Sequence, residues 1–110
     1  QYGYVNSIDI ITENNLPKDP VILYPNYPNP FNVTTRIEFE VRTRMNLTLT
    51  IHNLLGKEIR EIYRGITNTG RYDFIWDGKD RHRNQVASGI FYYTVSSEDF
   101  AKTRKLILIK

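Results

Sequence analysis

The side chains best suited to acid–base or metal chemistry are two histidines, His52 and His82. A catalytic site needs a nucleophile, a base or a metal within mutual reach, and neither histidine has partners at a recognised ligand spacing. The chain has no cysteine, which excludes thiolate chemistry and disulfides. The sequence therefore predicts a non-enzymatic protein without a cofactor, and two ordinary surface histidines.

A second group with chemical potential is the oxygen-rich set Asp77, Asp80 and Asn84. Calcium prefers several carboxylate and amide oxygens, so these residues are calcium candidates, although their spacing does not match an EF-hand. An Asp before a Gly at the end of a strand is also common in turns, where the Asp side chain accepts hydrogen bonds from nearby backbone N–H groups. The sequence favours the turn and keeps calcium as the alternative.

Aromatic residues are concentrated in the N-terminal part of the chain. They could stack against sugars as a binding platform, or pack in the core and against the prolines. The residues concerned are Tyr2, Tyr4, Tyr24, Tyr27 and Phe31. Core or proline packing is the favoured interpretation.

The overall charge is weakly basic. Fifteen Lys and Arg stand against twelve Asp and Glu, which gives a net charge of +3. The charges alternate with apolar residues and form no basic run, so no nucleic-acid partner is predicted. The longest apolar run, Leu106 to Ile109, is too short to span a bilayer, and no stable membrane insertion is expected.

Short alternating segments indicate an all-β fold. Gly, Pro, Asn and Asp interrupt them about every ten residues, as in a β-sandwich of about seven strands. The expected strands are Val21–Tyr24, 36–42, 47–51, Glu58–Tyr63, 72–76, Ile90–Ser96 and Ala101–Ile109. Gly56 is expected at a hairpin turn, Gly89 at a bend or bulge, and Trp76 in the core.

The domain boundary is predicted near residue 21. Residues 1–20 combine an apolar run, Ile8 to Ile11, with a polar stretch that contains two prolines. They are expected to be a linker or the tail of a preceding domain, and residues 21–110 form the sandwich. Because Gln1 is not a natural start residue, the chain is expected to be a fragment of a larger exported protein.

Five blocks of residues in order carry a resemblance. They are Tyr27-Pro28-Asn29-Pro30-Phe31-Asn32, Leu54-Leu55-Gly56-Lys57-Glu58, Trp76-Asp77-Gly78-Lys79-Asp80, Val86-Ala87-Ser88-Gly89-Ile90-Phe91-Tyr92 and Thr103-Arg104-Lys105-Leu106-Ile107-Leu108-Ile109-Lys110. From about Val21 onward the chain resembles the C-terminal type A sorting domain of the bacterial type IX secretion system, and relatedly the immunoglobulin-like domain of flagellar hook-capping proteins. Val33 departs from the family, since many relatives have a further proline there.

The resemblance implies an immunoglobulin-like antiparallel β-sandwich that sorts or anchors an attached cargo protein. The implied sorting signal is Lys105, Leu106, Ile107, Leu108, Ile109 and Lys110, and the family motif includes Pro28, Asn29, Pro30, Phe31, Asn32, Trp76 and Gly89. The implied partners are the outer-membrane secretion machinery and a sortase-like peptidase. The implied location is the cell surface or the medium, reached through the periplasm.

The expected mechanism is strand addition, in which a receptor pairs with an exposed last strand and its tail. Cations around the apolar run, among them Lys102 and Arg104, would limit premature aggregation. Two alternatives remain open: a carbohydrate-binding sandwich and a structural spacer of an extracellular enzyme. Exposed coplanar aromatic rings would favour the first of these.

Overall fold

The computed structural model describes residues 19–109, which form seven β-strands. The strands are β1 (Val21–Leu23), β2 (Thr35–Val41), β3 (Met45–Asn53), β4 (Glu58–Thr67), β5 (Gly70–Trp76), β6 (Gly89–Ser96) and β7 (Ala101–Leu108). The all-β, immunoglobulin-like sandwich of about seven strands is confirmed. The largest differences from the expected bounds are in β3, which extends two residues beyond 47–51 at each end, and in β4, which continues to Thr67 rather than ending at Tyr63.

The strands form two antiparallel sheets. One has the order β1-β2-β5 and the other β4-β3-β6-β7. The pairs β3–β4 and β6–β7 are consecutive in the chain, whereas the connections β2 to β3, β4 to β5 and β5 to β6 pass from one sheet to the other. Strand β7 therefore lies at an edge of the four-stranded sheet.

Alternating side chains fill the space between the sheets, as the period of two requires. In β2 the residues Ile37, Phe39 and Val41 are buried, and the polar residues between them face outward. In β3 the run Leu49, Thr50 and Ile51 is continuously buried. This departure occurs where the β3–β4 register shifts, in the centre of the sheet.

Trp76 closes one end of the core, and it is fully buried as expected. Its ring centroid lies 5.6 Å from that of Phe31 and 5.4 Å from that of Phe91. Its indole N–H donates to the Lys79 carbonyl at 3.0 Å, which satisfies the buried donor. Trp76 thus joins the loop before β2, the end of β5 and the beginning of β6.

Two glycines that the sequence singles out have different outcomes. Gly56 has a φ of +85°, which confirms the turn between β3 and β4. Of the bend or bulge predicted at Gly89, the bulge is wrong, because the β6–β7 register runs without a shift from Gly89 to Ser96, where Gly89 has a φ of +157°. The register irregularities lie instead between β3 and β4.

The sandwich has two poles. At the distal pole β3, β5 and β7 end, and β2, β4 and β6 begin, as the pairs Thr35–Trp76 and Gly89–Leu108 show. At the proximal pole the described chain begins, since the Pro20 carbonyl accepts a hydrogen bond from the Arg42 N–H just after β2. Within residues 19–109 no helix is long and apolar enough to cross a membrane.

Candidate functional site: the distal pole

The five blocks that carry the resemblance all reach the distal pole. The first block precedes β2, the second is the β3–β4 turn, and the third follows β5. The fourth leads into β6 and the fifth ends β7. Segments far apart in the sequence therefore meet at one end of the sandwich, which makes this end the candidate functional site.

The loop before β2 holds the end of β7 by its backbone. The Phe31 N–H donates to the Ile107 carbonyl at 2.9 Å, and the Ile109 N–H donates to the Phe31 carbonyl at 2.9 Å. The Asn29 Oδ1 accepts a further bond from the Ile107 N–H at 3.0 Å. The expectation of an open edge is therefore wrong for the end of β7, because this loop already pairs with it.

The side chains of the expected sorting signal point in two directions. Leu106 and Leu108 are fully buried in the core, whereas Lys105 is exposed and Ile107 is half-buried. Ile109 is 51% exposed just beyond the strand. The buried leucines hold β7 in the sandwich, and only the outward residues are available to a partner. Lys110 lies outside the described residues.

The first half of β7 is a freer edge. Thr103 is exposed there and lines a shallow groove between β7 and β1, and Lys105 is exposed just after it. Arg104 crosses this groove and donates from Nε to the Leu23 carbonyl at 2.8 Å. At the proximal end Lys102 pairs with Asp19 at 2.6 Å, and this hydrogen bond lowers the pKa of the Asp19 carboxyl. The cations expected around the apolar run therefore flank this edge. Two of them, Lys102 and Arg104, already bind other groups of the domain.

The calcium candidates lie in the loop after β5, and their oxygens accept hydrogen bonds from the protein. The Asp80 Oδ1 accepts from the N–H groups of His82 at 2.8 Å and Asn84 at 3.0 Å. The Asn84 N–H, with a smaller contribution from that of His82, lowers the pKa of Asp80. The Asp77 Oδ1 accepts from Arg60 at 3.2 Å and from the Lys79 N–H at 3.1 Å.

This geometry is the turn chemistry that the sequence favoured. Within residues 19–109 no group of three or more His, Asp or Glu side chains could hold a metal ion. His82 is exposed in the same loop, and His52 is half-buried in β3 beside Tyr92. The structure brings neither histidine together with a catalytic partner in this part of the chain.

Within residues 19–109, the three aromatic residues of this group do not form the platform that sugar stacking requires. Phe31 is buried against Trp76, with 1% of its surface exposed. Tyr24 donates to Glu40 at 2.9 Å, and Arg71 covers its ring at 4.7 Å. Tyr27 alone of these three is largely exposed, at 76%. Tyr2 and Tyr4 lie outside the described residues.

Comparison with known proteins gives the family. The model of the FlgD Ig-like domain matches residues 30–99, which is more than half of the chain. The chain belongs to the FlgD Ig-like domain family. No curated protein matches it. The matched segment ends before β7, so the expected sorting signal lies outside it.

Solved structures share the Ig-like fold of this FlgD Ig-like domain at low sequence identity. Dimeric latent PorU from Porphyromonas gingivalis has a TM-score of 0.64 and 16% identity over 82% of this chain and 9% of PorU. PorZ, a surface component of the type IX secretion system of the same organism, has a TM-score of 0.52 and 21% identity over 80% of this chain and 11% of PorZ. FlgD from P. aeruginosa has a TM-score of 0.53 and 23% identity, over 67% of this chain and 57% of that one.

Exposed apolar side chains are the feature of the distal pole that the sequence analysis missed. The domain has eight large hydrophobic residues with exposed side chains within residues 19–109. Seven lie at this pole: Tyr27, Val33, Leu54, Leu55, Ile75, Ile90 and Ile109. Only Ile66 lies at the proximal pole. Leu54, Leu55 and Ile90 line one groove at this pole. Because exposed apolar patches mark interaction surfaces, the distal pole is the candidate contact surface of the domain.

Proposed function

We propose that this domain is a non-catalytic sorting or anchoring module, which directs an attached cargo protein through the type IX secretion system to the cell surface or the medium. The fold similarity to PorZ and the resemblance of the five blocks support this assignment. Its partners would be the outer-membrane secretion machinery and a sortase-like peptidase, and residues 1–20 would be the linker to the cargo. No step of this function needs a catalytic group of the domain.

The observation that carries the proposal is the separation of the two poles. The described chain begins at Asp19, which pairs with Lys102 at the start of β7, and it ends at Ile109 beyond the other end of that strand. Eight residues of β7 separate the poles by roughly 27 Å at about 3.4 Å per residue. A cargo protein joined ahead of residue 19 would therefore leave the outward side of β7 beyond Lys102, and with it the distal pole, open to a receptor.

The receptor would read the outward side of β7. Lys105 and Ile109 present one cation and one apolar side chain there, and the backbone of Thr103 and Lys105 lies at the freer part of the edge. Strand addition at this part would combine main-chain hydrogen bonds with pockets for alternate side chains. The paired end of β7 would keep the last residues in register while the receptor binds.

The test must use substitutions that leave the buried core residues unchanged. Deleting residues 106–110 would remove the fully buried Leu106 and Leu108 and would unfold the domain, whatever the role of the tail. The informative variant is the double substitution Lys105→Glu and Ile109→Asp, because both side chains are exposed. The control is Ile66→Asp, an exposed apolar residue at the proximal pole.

Each variant is fused behind a reporter and expressed in a bacterium that has a type IX system. We expect the unchanged domain and the Ile66→Asp control to bring the reporter to the surface or the medium. The double variant should leave it in the periplasm while its melting temperature stays close to that of the unchanged domain. Equal export of all three would refute the sorting role of β7.

A further inference from the structure

Strand β5 is an edge of the three-stranded sheet, and half of its backbone groups face away from β2. In an antiparallel pair, two opposite residues either bond to each other or both point away. The backbone of Arg36 in β2 bonds to Tyr27, on the side away from β5. Arg36 is opposite Ile75, so Ile75 and the alternate residues Asp73 and Arg71 face the open edge. In the described part of the chain, no other strand or loop bonds to the backbone of these three residues.

The other three sheet edges each carry a covering contact. Arg104 donates to the Leu23 carbonyl of β1, and the Arg81 N–H donates to the Ile59 carbonyl of β4. The loop at Phe31 pairs with the end of β7. Within residues 19–109 the edge of β5 has no contact of this kind. Because unpaired edge groups are a template for another strand, β5 is the edge best prepared to receive one.

The charges along the open edge of β5 are incompletely matched. Asp73 lies directly opposite Glu38 in the β2–β5 register, so two carboxylates are side by side on the outer face of the sheet. Arg71 bonds to Glu38, and Arg36 reaches Asp73 at 3.4 Å from the diagonal position. Opposite charges on neighbouring strands stabilise a sheet, whereas like charges destabilise it. The edge therefore favours a strand with a cation opposite Asp73 and a carboxylate opposite Arg71.

Aromatic rings on the inner face of β5 are covered on one side only. Tyr72 and Phe74 pack beside Phe39, at ring-centroid distances of 5.6 Å and 6.0 Å, and Tyr63 contacts Phe74 at 5.1 Å. Tyr72 and Phe74 nevertheless remain half-buried, because no strand lies on the other side of β5. A strand added at this edge would cover both rings, and an aromatic side chain opposite Tyr72 would extend their packing.

We propose that the edge of β5 binds β5 of a second copy of this chain, antiparallel, about a two-fold axis at Tyr72. Arg71 of each copy is then opposite Asp73 of the other, and the two residues exchange both backbone hydrogen bonds. Tyr72 is opposite its equivalent, and Phe74 is opposite Gly70, which has no side chain. The two three-stranded sheets become one sheet of six strands.

The charges of β5 favour both this register and this occupant. A two-fold axis at Arg71 or at Asp73 would place two identical charges directly opposite each other. The axis at Tyr72 instead gives two Arg71–Asp73 pairs, and a contact between identical copies requires a self-complementary surface of this kind. The strand that the edge favours is therefore present in β5 itself. No residue of β7 takes part, so the proposal is independent of the sorting role.

Amide hydrogen exchange of the full chain, measured at increasing protein concentration, tests the pairing without a substitution. The N–H groups of Arg71 and Asp73 should exchange at least about tenfold more slowly near about 1 mM protein than near about 20 μM, because they have partners only in the dimer. The N–H groups of Tyr72 and Phe74 face β2 in both states and are internal controls. Protection that rises at Thr103 instead would indicate pairing through β7 and would overturn the proposal.

Two charge variants of the full chain test the register. In Arg71→Asp, carboxylates face the carboxylates of the second copy, and in Asp73→Arg, arginines face arginines. When the two variants are mixed in equal amounts, every carboxylate at the contact faces an arginine. The control is Lys57→Asp, which changes the net charge as Arg71→Asp does and lies in the exposed β3–β4 turn.

Sedimentation velocity gives the dimer dissociation constant, and a melting curve of each variant checks that it is folded. We expect the unchanged chain and Lys57→Asp to dimerise alike, and each β5 variant alone to dimerise at least about tenfold more weakly. The mixture should recover the dimer. A monomeric unchanged chain near about 1 mM, undiminished dimerisation of either β5 variant, or a mixture of folded variants that stays monomeric would overturn the proposal. If a variant does not fold, the exchange measurement decides.

Discussion

Phe31 and Tyr27 are two aromatic residues of the same loop, one buried and one exposed. Substituting each in turn therefore tests whether burial, rather than aromatic character alone, makes such a residue stabilising. Phe31 is 1% exposed and packs against Trp76 with their rings tilted by 54°, whereas Tyr27 is 76% exposed. Phe31→Ala removes a buried ring and leaves a cavity beside Trp76, which costs about 3–5 kcal/mol of the free energy of unfolding. Tyr27→Ala removes an exposed ring and should change that free energy by no more than about 0.5 kcal/mol.

The measurement is urea unfolding followed by the fluorescence of Trp76. A domain of this length has a free energy of unfolding of roughly 5–13 kcal/mol, so Phe31→Ala should remain folded or become marginal. With a slope of about 2 kcal/mol per molar urea, its midpoint should fall by roughly 1.5–2.5 M. The hydrogen bonds of Phe31 to Ile107 and Ile109 are made by backbone atoms, so the substitution does not itself remove them. Similar midpoints for the two alanine variants would refute the role of Phe31 as the packed anchor of this loop.

Two further predictions concern ionisation and metal. Burial raises the pKa of Tyr93 to about 12, and its hydroxyl donates to the Tyr24 carbonyl at 2.7 Å. The folded state thus holds this proton more tightly than the unfolded state, whose pKa is about 10, so stability is retained below pH 10 and falls by up to about 3 kcal/mol as the pH rises towards 12. Unfolding titrations should show this loss in the unchanged domain and not in Tyr93→Phe; parallel curves would contradict it. For calcium, we expect the same melting temperature with added calcium or with a chelator, because Asp77 and Asp80 already accept protein hydrogen bonds, and a stabilising shift with calcium would contradict the turn interpretation.

The strand pattern could be predicted because each strand has one buried face. Ile37, Phe39 and Val41 alternate with charged residues, and that period alone sets their direction. The extent of β4 could not be predicted in the same way. Its side chains are mostly exposed or half-buried, so burial leaves little pattern in its sequence. Its pairing with the strongly patterned β3 extends it to Thr67.

The blocks of resemblance identified the residues of the distal pole but not their arrangement. No local pattern indicates that the Phe31 backbone pairs with Ile107 and Ile109, because this pairing joins residues far apart in the chain. The bulge expected at Gly89 failed for a related reason. A glycine at the start of a strand indicates only that a bulge is sterically allowed there. Whether the register shifts depends on the pairing with the partner strand, which here is continuous.

Because the end of β7 is already paired, a receptor strand can be added without rearrangement only along the rest of the strand. An edge becomes a template only where its N–H and C=O groups lack partners, and the loop at Asn29 and Phe31 supplies partners at the end of β7. A receptor that adds a strand along the whole of β7 would have to displace this loop, and with it the Phe31 ring from Trp76. A receptor that pairs only near Thr103 and Lys105 would not. Since the first route would cost the packing of a buried aromatic ring, the geometry favours recognition of the freer part of the edge together with the outward side chains beyond it.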